Sequence, residues 1–242
     1  MIFITGLGRC GTTLMTLVYK ELGFGVGHSL SYNEDHKAGM ELTPAYAISR
    51  DMYDSYLRKG KEIDLYEKSA DQYWGSEYGD TCMRERILYL DTETPPDRKE
   101  GVVEVIKDPR LTWHPKLIRA WWMVRKDIKL IILHRKPENI IKSRSNASIA
   151  KWGNDTHFHD PKRFQRVQQF YDDWEEFYHE VKVLGIPHVL WNYPAFTTYP
   201  KRDLFVHLQG IGAMKDYTLG QFEIAWDNVF DESKITFFDG EK

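Results

Sequence analysis

Cysteine is scarce in this chain: Cys10 and Cys82 are the two among 242 residues. Two thiols do not make the disulfide framework of a small secreted domain, so the fold must rest on an apolar core. Long hydrophobic runs are lacking too; none approaches the roughly 18 apolar residues of a membrane-spanning helix. A glycine-rich stretch begins already at Gly6, so no leader is expected ahead of it. A cytoplasmic protein is the expectation, and Asn146-Ala147-Ser148 is then a chance glycosylation sequon. Charge of one sign is the third lack. The 33 Lys and Arg nearly balance 36 Asp and Glu, giving a net charge of −3. No global field therefore recruits nucleic acid or anionic membrane, and any anion site must be a local gathering of cations.

What is present is an alternation of strands and helices, with no repeat or low-complexity tract. IFITG (2–6) has the pattern of a buried strand, and 12–23 that of a helix with Leu14, Leu17, Val18 and Leu22 on one face. Residues 24–43 form a glycine-punctuated loop in which 24–26 add a short strand. Helical patterns follow at 44–58 and 79–91, then the charged surface loop TETPPDRKEG (92–101). VVEVIK (102–107) is a strand, followed by Asp-Pro-Arg-Leu and a helix over 115–125. IKLIILH (128–134) is another strand, leading to a helix that opens at Pro137. A long helix over 161–183 spaces Phe164, Val167, Tyr171, Trp174, Tyr178 and Val181 helically. GIPHVLW (185–191) and a helix over 201–209 complete the series. Strands alternating with helices imply a parallel sheet covered on both faces. The expected fold is α/β, three-layer and P-loop NTPase-like. It forms a single domain, 1–242, with an aromatic-rich helical and loop insertion at about 25–100.

The stretch GLGRCGTT (6–13) joins the first strand to the first helix. Gly6, Gly8 and Gly11 let the backbone turn tightly and converge its N–H groups. The helix starting at Thr12 adds its positive end. Thr12 and Thr13 contribute hydroxyls, and Arg9 a fixed fork of donors. The six residues from Gly6 to Gly11 keep the length of a P-loop, yet Thr12-Thr13 stand where an ATP- or GTP-binding loop carries Lys then Ser or Thr. A kinase uses that lysine with Mg²⁺ to spread charge over three phosphates. Without it, the loop suits a smaller anion.

A second anion motif lies in IILHRKPENIIKSRS (131–145). Arg135 sits just past a hydrophobic strand and Pro137 is placed to be the first helical residue. Ser143, eight residues after Arg135, is about two helical turns along, so the two can grip a phosphate monoester. Lys136, Lys142 and Arg144 fit an ordinary solvated basic face. Both motifs fall at carboxyl ends of strands, the edge along which open α/β sheets bind ligands. A nucleotide carrying phosphates at both ends of its ribose would span them.

These residues resemble the sulfotransferases that use 3′-phosphoadenosine 5′-phosphosulfate. GLGRCGTT is similar to that family's 5′-phosphosulfate loop, and LHRKPENIIKSRS to its 3′-phosphate motif, an Arg and a Ser eight apart around the start of a helix. VIKDPRL (105–111) resembles the Lys-Asp-Pro strand end of carbohydrate-type, tyrosylprotein and bacterial members, rather than the cytosolic phenol and steroid type. HVLWNYPAF (188–196) sits where many members have a strand followed by Tyr-Glu-Asp-Leu, here without its acidic residues. The resemblance covers about 2–24 and 102–210. It implies Mg²⁺-independent, in-line transfer of a sulfuryl group from the phosphosulfate to a hydroxyl or amine acceptor. The product is adenosine 3′,5′-bisphosphate, and no metal takes part. Gly8, Arg9, Cys10, Gly11, Thr12, Thr13, Arg135 and Ser143 would hold the donor. Arg9 acts on the bridging oxygen through charge and hydrogen bonds alone, since an arginine stays protonated. Lys107 donates a proton or adds charge.

The acceptor must lose a proton, and the candidate bases lie in GHSLSYNEDHKAGMEL (27–42): Glu41 first, His28 next, then Glu34 and Asp35. Tyr193 and Trp191 are either a stacking platform for adenine or core aromatics. HFHD (157–160) has a metal-like look without a full ligand set. A small-molecule or carbohydrate acceptor would meet the aromatics of 25–100. Cys10 replaces a small Ser of the family loop and, at a helix N-terminus, is a candidate for a lowered pKa and a reactive thiol. ITFFDGEK (235–242) lacks the Arg-Lys-Gly segment by which cytosolic members close over the 3′-phosphate. The competing assignments are a P-loop nucleoside or sugar kinase and a non-catalytic nucleotide-binding protein. No nucleic-acid or membrane partner is expected, and the sequence leaves the oligomeric state open.

Overall fold

The computed structural model describes residues 1–26, 104–113, 116–146, 167–235 and 237–238. Among them, four strands form one parallel sheet: β1 (Ile2–Thr5), β2 (Val105–Lys107), β3 (Lys129–His134) and β4 (His188–Asn192). Their order is β2-β1-β3-β4. Both central strands are continuous apolar runs, as strands buried on two faces require. The register aligns Ile2 with Val105 and Lys129, and Leu130 with His188.

Side-chain alternation along these strands divides the core in two. Phe3, Ile106, Leu130 and Ile132 face one layer, made by α3 (Lys116–Val124) with Leu117, Ile118 and Trp121, and α5 (Val167–Val183) with Phe177 and Val181. Ile4, Val105, Ile131 and Leu133 face the other. That layer is made by α1 (Thr12–Glu21), α6 (Lys201–Gly210) and α7 (Leu219–Val229), which bring Met15, Val18, Leu204, Phe222 and Trp226. Helices therefore cover both faces of a parallel sheet, and the fold is the three-layer, P-loop-like α/β arrangement expected. Each large side chain buried this way contributes on the order of 1.5–3 kcal/mol. A short helix α2 (Arg110–Trp113) follows β2, and α4 (Pro137–Asn146) follows β3 with Pro137 at its first position. A third, small cluster of Leu7, Ile140 and Phe170 ties the glycine-rich loop to α4 and α5.

Several expectations need correction. The buried face of α1 runs through Met15, Val18 and Tyr19, with Leu14 and Leu22 at its margin and Leu17 only half-buried. The stripe of α5 is likewise rotated: Phe170, Asp173, Phe177 and Val181 are buried, while Trp174 and Tyr178 flank it. Phe24–Val26 is not a strand, although the Gly25 carbonyl accepts from the N–H groups of Glu104 and Val105. Neither α2 nor α7 was foreseen. For α7 the signal was present: Thr218 and Gln221 form a capping box, each side chain accepting from the other's backbone N–H. The helices expected at 44–58 and 79–91, the insertion, and HFHD lie outside the described residues.

Candidate functional site

The loop between β1 and α1 is tight because two glycines leave no room for anything larger. A Cβ at Gly6 would lie 2.2 Å from the Leu133 carbonyl oxygen and 2.5 Å from Cys10 Sγ. The loop is thereby pressed onto the end of β3. At Gly11, where φ is +84°, a Cβ would lie 2.7 Å from the Tyr193 ring. Between them Gly8 (φ 86°) and Arg9 (φ 54°) also adopt left-handed conformations; for Arg9, which has a Cβ, that is unfavourable by roughly 1–2 kcal/mol. Its surroundings must hold it there.

They do so by joining the two sequence motifs. Arg135, buried just past β3, donates through Nη1 to the Arg9 carbonyl at 2.9 Å. Arg9 is exposed, and its Nε donates to Ser143 Oγ, in the second turn of α4, at 3.3 Å. The stretches expected to form two anion sites thus meet in one polar cluster at the carboxyl ends of adjacent strands. Partial desolvation, with the Arg135 charge adding to it, sets the Arg9 pKa below the ordinary arginine value; the group remains a cation. The first turn of α1 holds no acidic residue, so no carboxylate of its own competes for its positive end.

Lys107 ends β2 opposite Ile4 and is buried. Strand alternation puts it on the α1 side of the sheet, and its charge and that of Arg135 both act on the Cys10 thiol. Thr5 Oγ1 donates to the Asp108 carbonyl at 2.8 Å, fixing the end of β2 to the end of β1. Arg9, Lys107 and Arg135 therefore share one region. His134 does not: it turns to the opposite layer, its ring 4.5 Å from that of Trp174 and its Nδ1 3.2 Å from Asn192 Oδ1. Burial lowers its pKa, against the raising effect of Asn192.

Cys10 departs from expectation. Its side chain is wholly buried, and desolvation pushes the thiol up to about 11, outweighing the hydrogen bond at Gly8 and the nearby cations. It packs the loop onto the core and is not a reactive thiolate. Of the two candidate stacking rings, Trp191 is a core residue, its Nε1 donating to His207 Nδ1 at 3.3 Å. Tyr193 belongs to the site, with the Arg135 guanidinium 4.8 Å from its ring centroid. Thr12 is buried and Thr13 half-buried at the start of α1. Glu41, His28, Glu34 and Asp35 lie outside the described residues.

Two participants escaped the sequence reading. Phe238 lies with Arg135 at 4.9 Å and Lys142 at 4.8 Å from its ring centroid. Lys142 is next to Ser143 in sequence and reads there as surface basicity; Phe238 is about a hundred residues away, with no local pattern to link them.

No protein-family model matches the chain, and no curated protein is similar to it. Among solved structures, it is similar to a sulfotransferase domain from the curacin biosynthetic pathway. The identity is 12% over 92% of this chain and 76% of that one, with a TM-score of 0.45. At that level of likeness, function has to be argued from the site's own residues. Among the described residues, no helix is long and apolar enough to cross a membrane.

Proposed function

We propose that the protein is a sulfotransferase that moves a sulfuryl group from 3′-phosphoadenosine 5′-phosphosulfate to a hydroxyl or amine acceptor, without Mg²⁺. One observation carries this. Two cation-bearing motifs from neighbouring parallel strands, Arg9 in the glycine-rich loop and Arg135 with Ser143 around α4, are in direct contact. A ligand with two anionic groups one ribose apart has the chemistry to satisfy both. The loop, Thr12 and Thr13 would hold the 5′-phosphosulfate, Arg135 and Ser143 the 3′-phosphate, and Tyr193 would lie beside the nucleotide.

In the reaction the acceptor atom bonds to sulfur as the bond from sulfur to the bridging oxygen breaks. The electron pair stays on that oxygen, which becomes a phosphate oxygen of adenosine 3′,5′-bisphosphate. Charge grows there, so preorganised cations are the main lever. Arg9 supplies a permanent charge and donors. Lys107, buried on the same side of the sheet, adds charge or a proton. The acceptor proton goes to a base, for which Glu41 and then His28 are the candidates. A nucleoside or sugar kinase fits less well, because Thr12 stands where its phosphate-bridging lysine belongs.

Titration calorimetry with adenosine 3′,5′-bisphosphate and with ATP, without Mg²⁺, tests the proposal. Binding of the bisphosphate in preference to ATP is the expected result. No bisphosphate binding, or ATP binding that appears once Mg²⁺ is added, would overturn it in favour of a kinase.

A further inference from the structure

The carboxyl ends of β3 and β4 carry two successive side-chain pairs, one on each face of the sheet. His134 stands opposite Asn192 in the parallel register. Their side chains meet on the α5 side, with His134 Nδ1 3.2 Å from Asn192 Oδ1. An amide oxygen can only accept, so the Nδ1 hydrogen is the donor. The His134 ring also lies 4.5 Å from that of Trp174, which stacks in turn on Tyr178 at 5.7 Å. The residues that follow, Arg135 and Tyr193, make the second pair on the α1 side, the guanidinium 4.8 Å from the ring centroid. A single backbone bond ties the two pairs together: the Tyr193 N–H donates to the His134 carbonyl at 2.7 Å. Pro194, the next residue of that chain, has no N–H to extend the ladder.

The first pair therefore sets the second. From the end of β3, Arg135 reaches both the Arg9 carbonyl and the Tyr193 ring, and that geometry needs the two strands to end in step. We propose that His134 and Asn192 are positioning residues for the anion site. Their hydrogen bond holds Arg135 and Tyr193 face to face from the far side of the sheet, without touching a ligand. Asn192 is exposed, and one such bond contributes little to the stability of the whole fold. Its effect falls on alignment, about tenfold in affinity, the lower end for outer partners that orient a binding group. The identity of the ligand rests on the bisphosphate assignment above; the alignment of Arg135 does not.

The full-length chain and four variants test this. His134→Phe keeps a ring beside Trp174 but has no donor, His134→Gln keeps a donor, and Asn192→Leu removes the acceptor; the fourth combines His134→Phe with Asn192→Leu. The first measurement needs no ligand: the NMR shift of the Arg135 Nε–H signal, assigned by its loss in Arg135→Lys. The Tyr193 ring should displace it from the exposed-arginine value in the parent and in His134→Gln. In His134→Phe and Asn192→Leu it should move back towards that value. A signal unmoved in both would overturn the proposal. The second measurement is calorimetry with adenosine 3′,5′-bisphosphate. Binding should weaken about tenfold in each of those two variants and no further in the double variant, with His134→Gln within about threefold of the parent. Urea midpoints should stay near the parent's. Lowered midpoints with parental affinity would make the pair merely structural, and losses that add in the double variant would mean two independent residues; either overturns the proposal. Should His134→Phe fail to fold, Asn192→Leu, at an exposed position, carries the same test. A moved Arg135 signal with no bisphosphate binding by any of the proteins would uphold the positioning and reject the nucleotide assignment.

Discussion

Arg9 and Ser143 are 134 positions apart in the chain, yet Arg9 Nε donates to Ser143 Oγ at 3.3 Å and so joins the glycine-rich loop to α4. Because Arg9 is exposed, this bond adds little to stability; charged hydrogen bonds at the surface contribute about 1 kcal/mol or less. Its value lies in what the same two groups do for a ligand. Ser143→Ala should leave the urea midpoint nearly unchanged and weaken bisphosphate binding about tenfold, the scale of one lost hydrogen bond to a charged group. Unaltered affinity by calorimetry would remove Ser143 from the site.

The loop's shape gives a sharper test. Gly6→Ala would place a Cβ against the Leu133 carbonyl oxygen, which belongs to a central strand and has nowhere to go. A destabilisation of about 3 kcal/mol is expected, the upper range for overpacking. Gly11→Ala combines a left-handed φ with contact on the Tyr193 ring. Gly23→Ala has a similar φ of +89° but meets nothing within 4 Å, so it reports the conformational cost alone, about 1–2 kcal/mol. The order of urea midpoints should be Gly23→Ala above Gly11→Ala above Gly6→Ala. A Gly6→Ala protein as stable as the Gly23→Ala protein would mean the loop does not pack on β3 as described.

Much of this was legible beforehand, for reasons the residues make plain. IFIT and LIIL are continuous apolar runs that only a doubly covered strand accommodates, and Pro137 after Arg135 marks the start of α4. GLGRCGTT and Arg135 with Ser143 could be placed because each follows such a strand. What could not be read was the phase of the helices. On α1 and α5, apolar side chains exceed the width of one face; packing against the sheet chose Met15 over Leu17, and packing against Leu7 and Ile140 chose Phe170 over Tyr171. The direction of Cys10 was also hidden: helix-start position suggests a lowered pKa, while burial, which only the tertiary fold decides, raises it. Phe238 was invisible for the same reason, since its partners are remote in sequence.

Arg135 and Lys107 should separate binding from transfer. Arg135→Lys keeps the charge but loses the planar fork that reaches the Arg9 carbonyl and lies on Tyr193. Bisphosphate affinity should fall at least tenfold. Lys107→Ala should leave affinity within about threefold and slow donor consumption by roughly a hundredfold, the range for losing one electrostatic or proton-donating group. Calorimetry and donor turnover, run over a panel of phenol and sugar acceptors, read the two effects. A Lys107→Ala protein that turns over normally would leave Lys107 a structural strand end.

Cys10 offers a test by pH. With the thiol pushed up to about 11, about one molecule in a thousand carries the thiolate at pH 8, against about a quarter for an ordinary cysteine. Iodoacetamide should therefore label Cys10 at least a hundredfold more slowly in the native Cys82→Ser protein than after unfolding. The same shift has a sign for stability. The folded state holds the thiol proton more tightly than the unfolded state, so the contribution is complete below the ordinary cysteine pKa and is lost as pH rises through about 11. Tyr19 is raised by burial as well, from an ordinary value near 10, so its share is lost only at higher pH. Between pH 9 and 10 the decline in stability belongs mainly to Cys10. Stability curves of the Cys82→Ser protein with and without Cys10→Ala should diverge in that window, the Cys10→Ala curve being flatter. Parallel curves together with rapid native labelling would place Cys10 at the surface and undo the packing of the loop on the core.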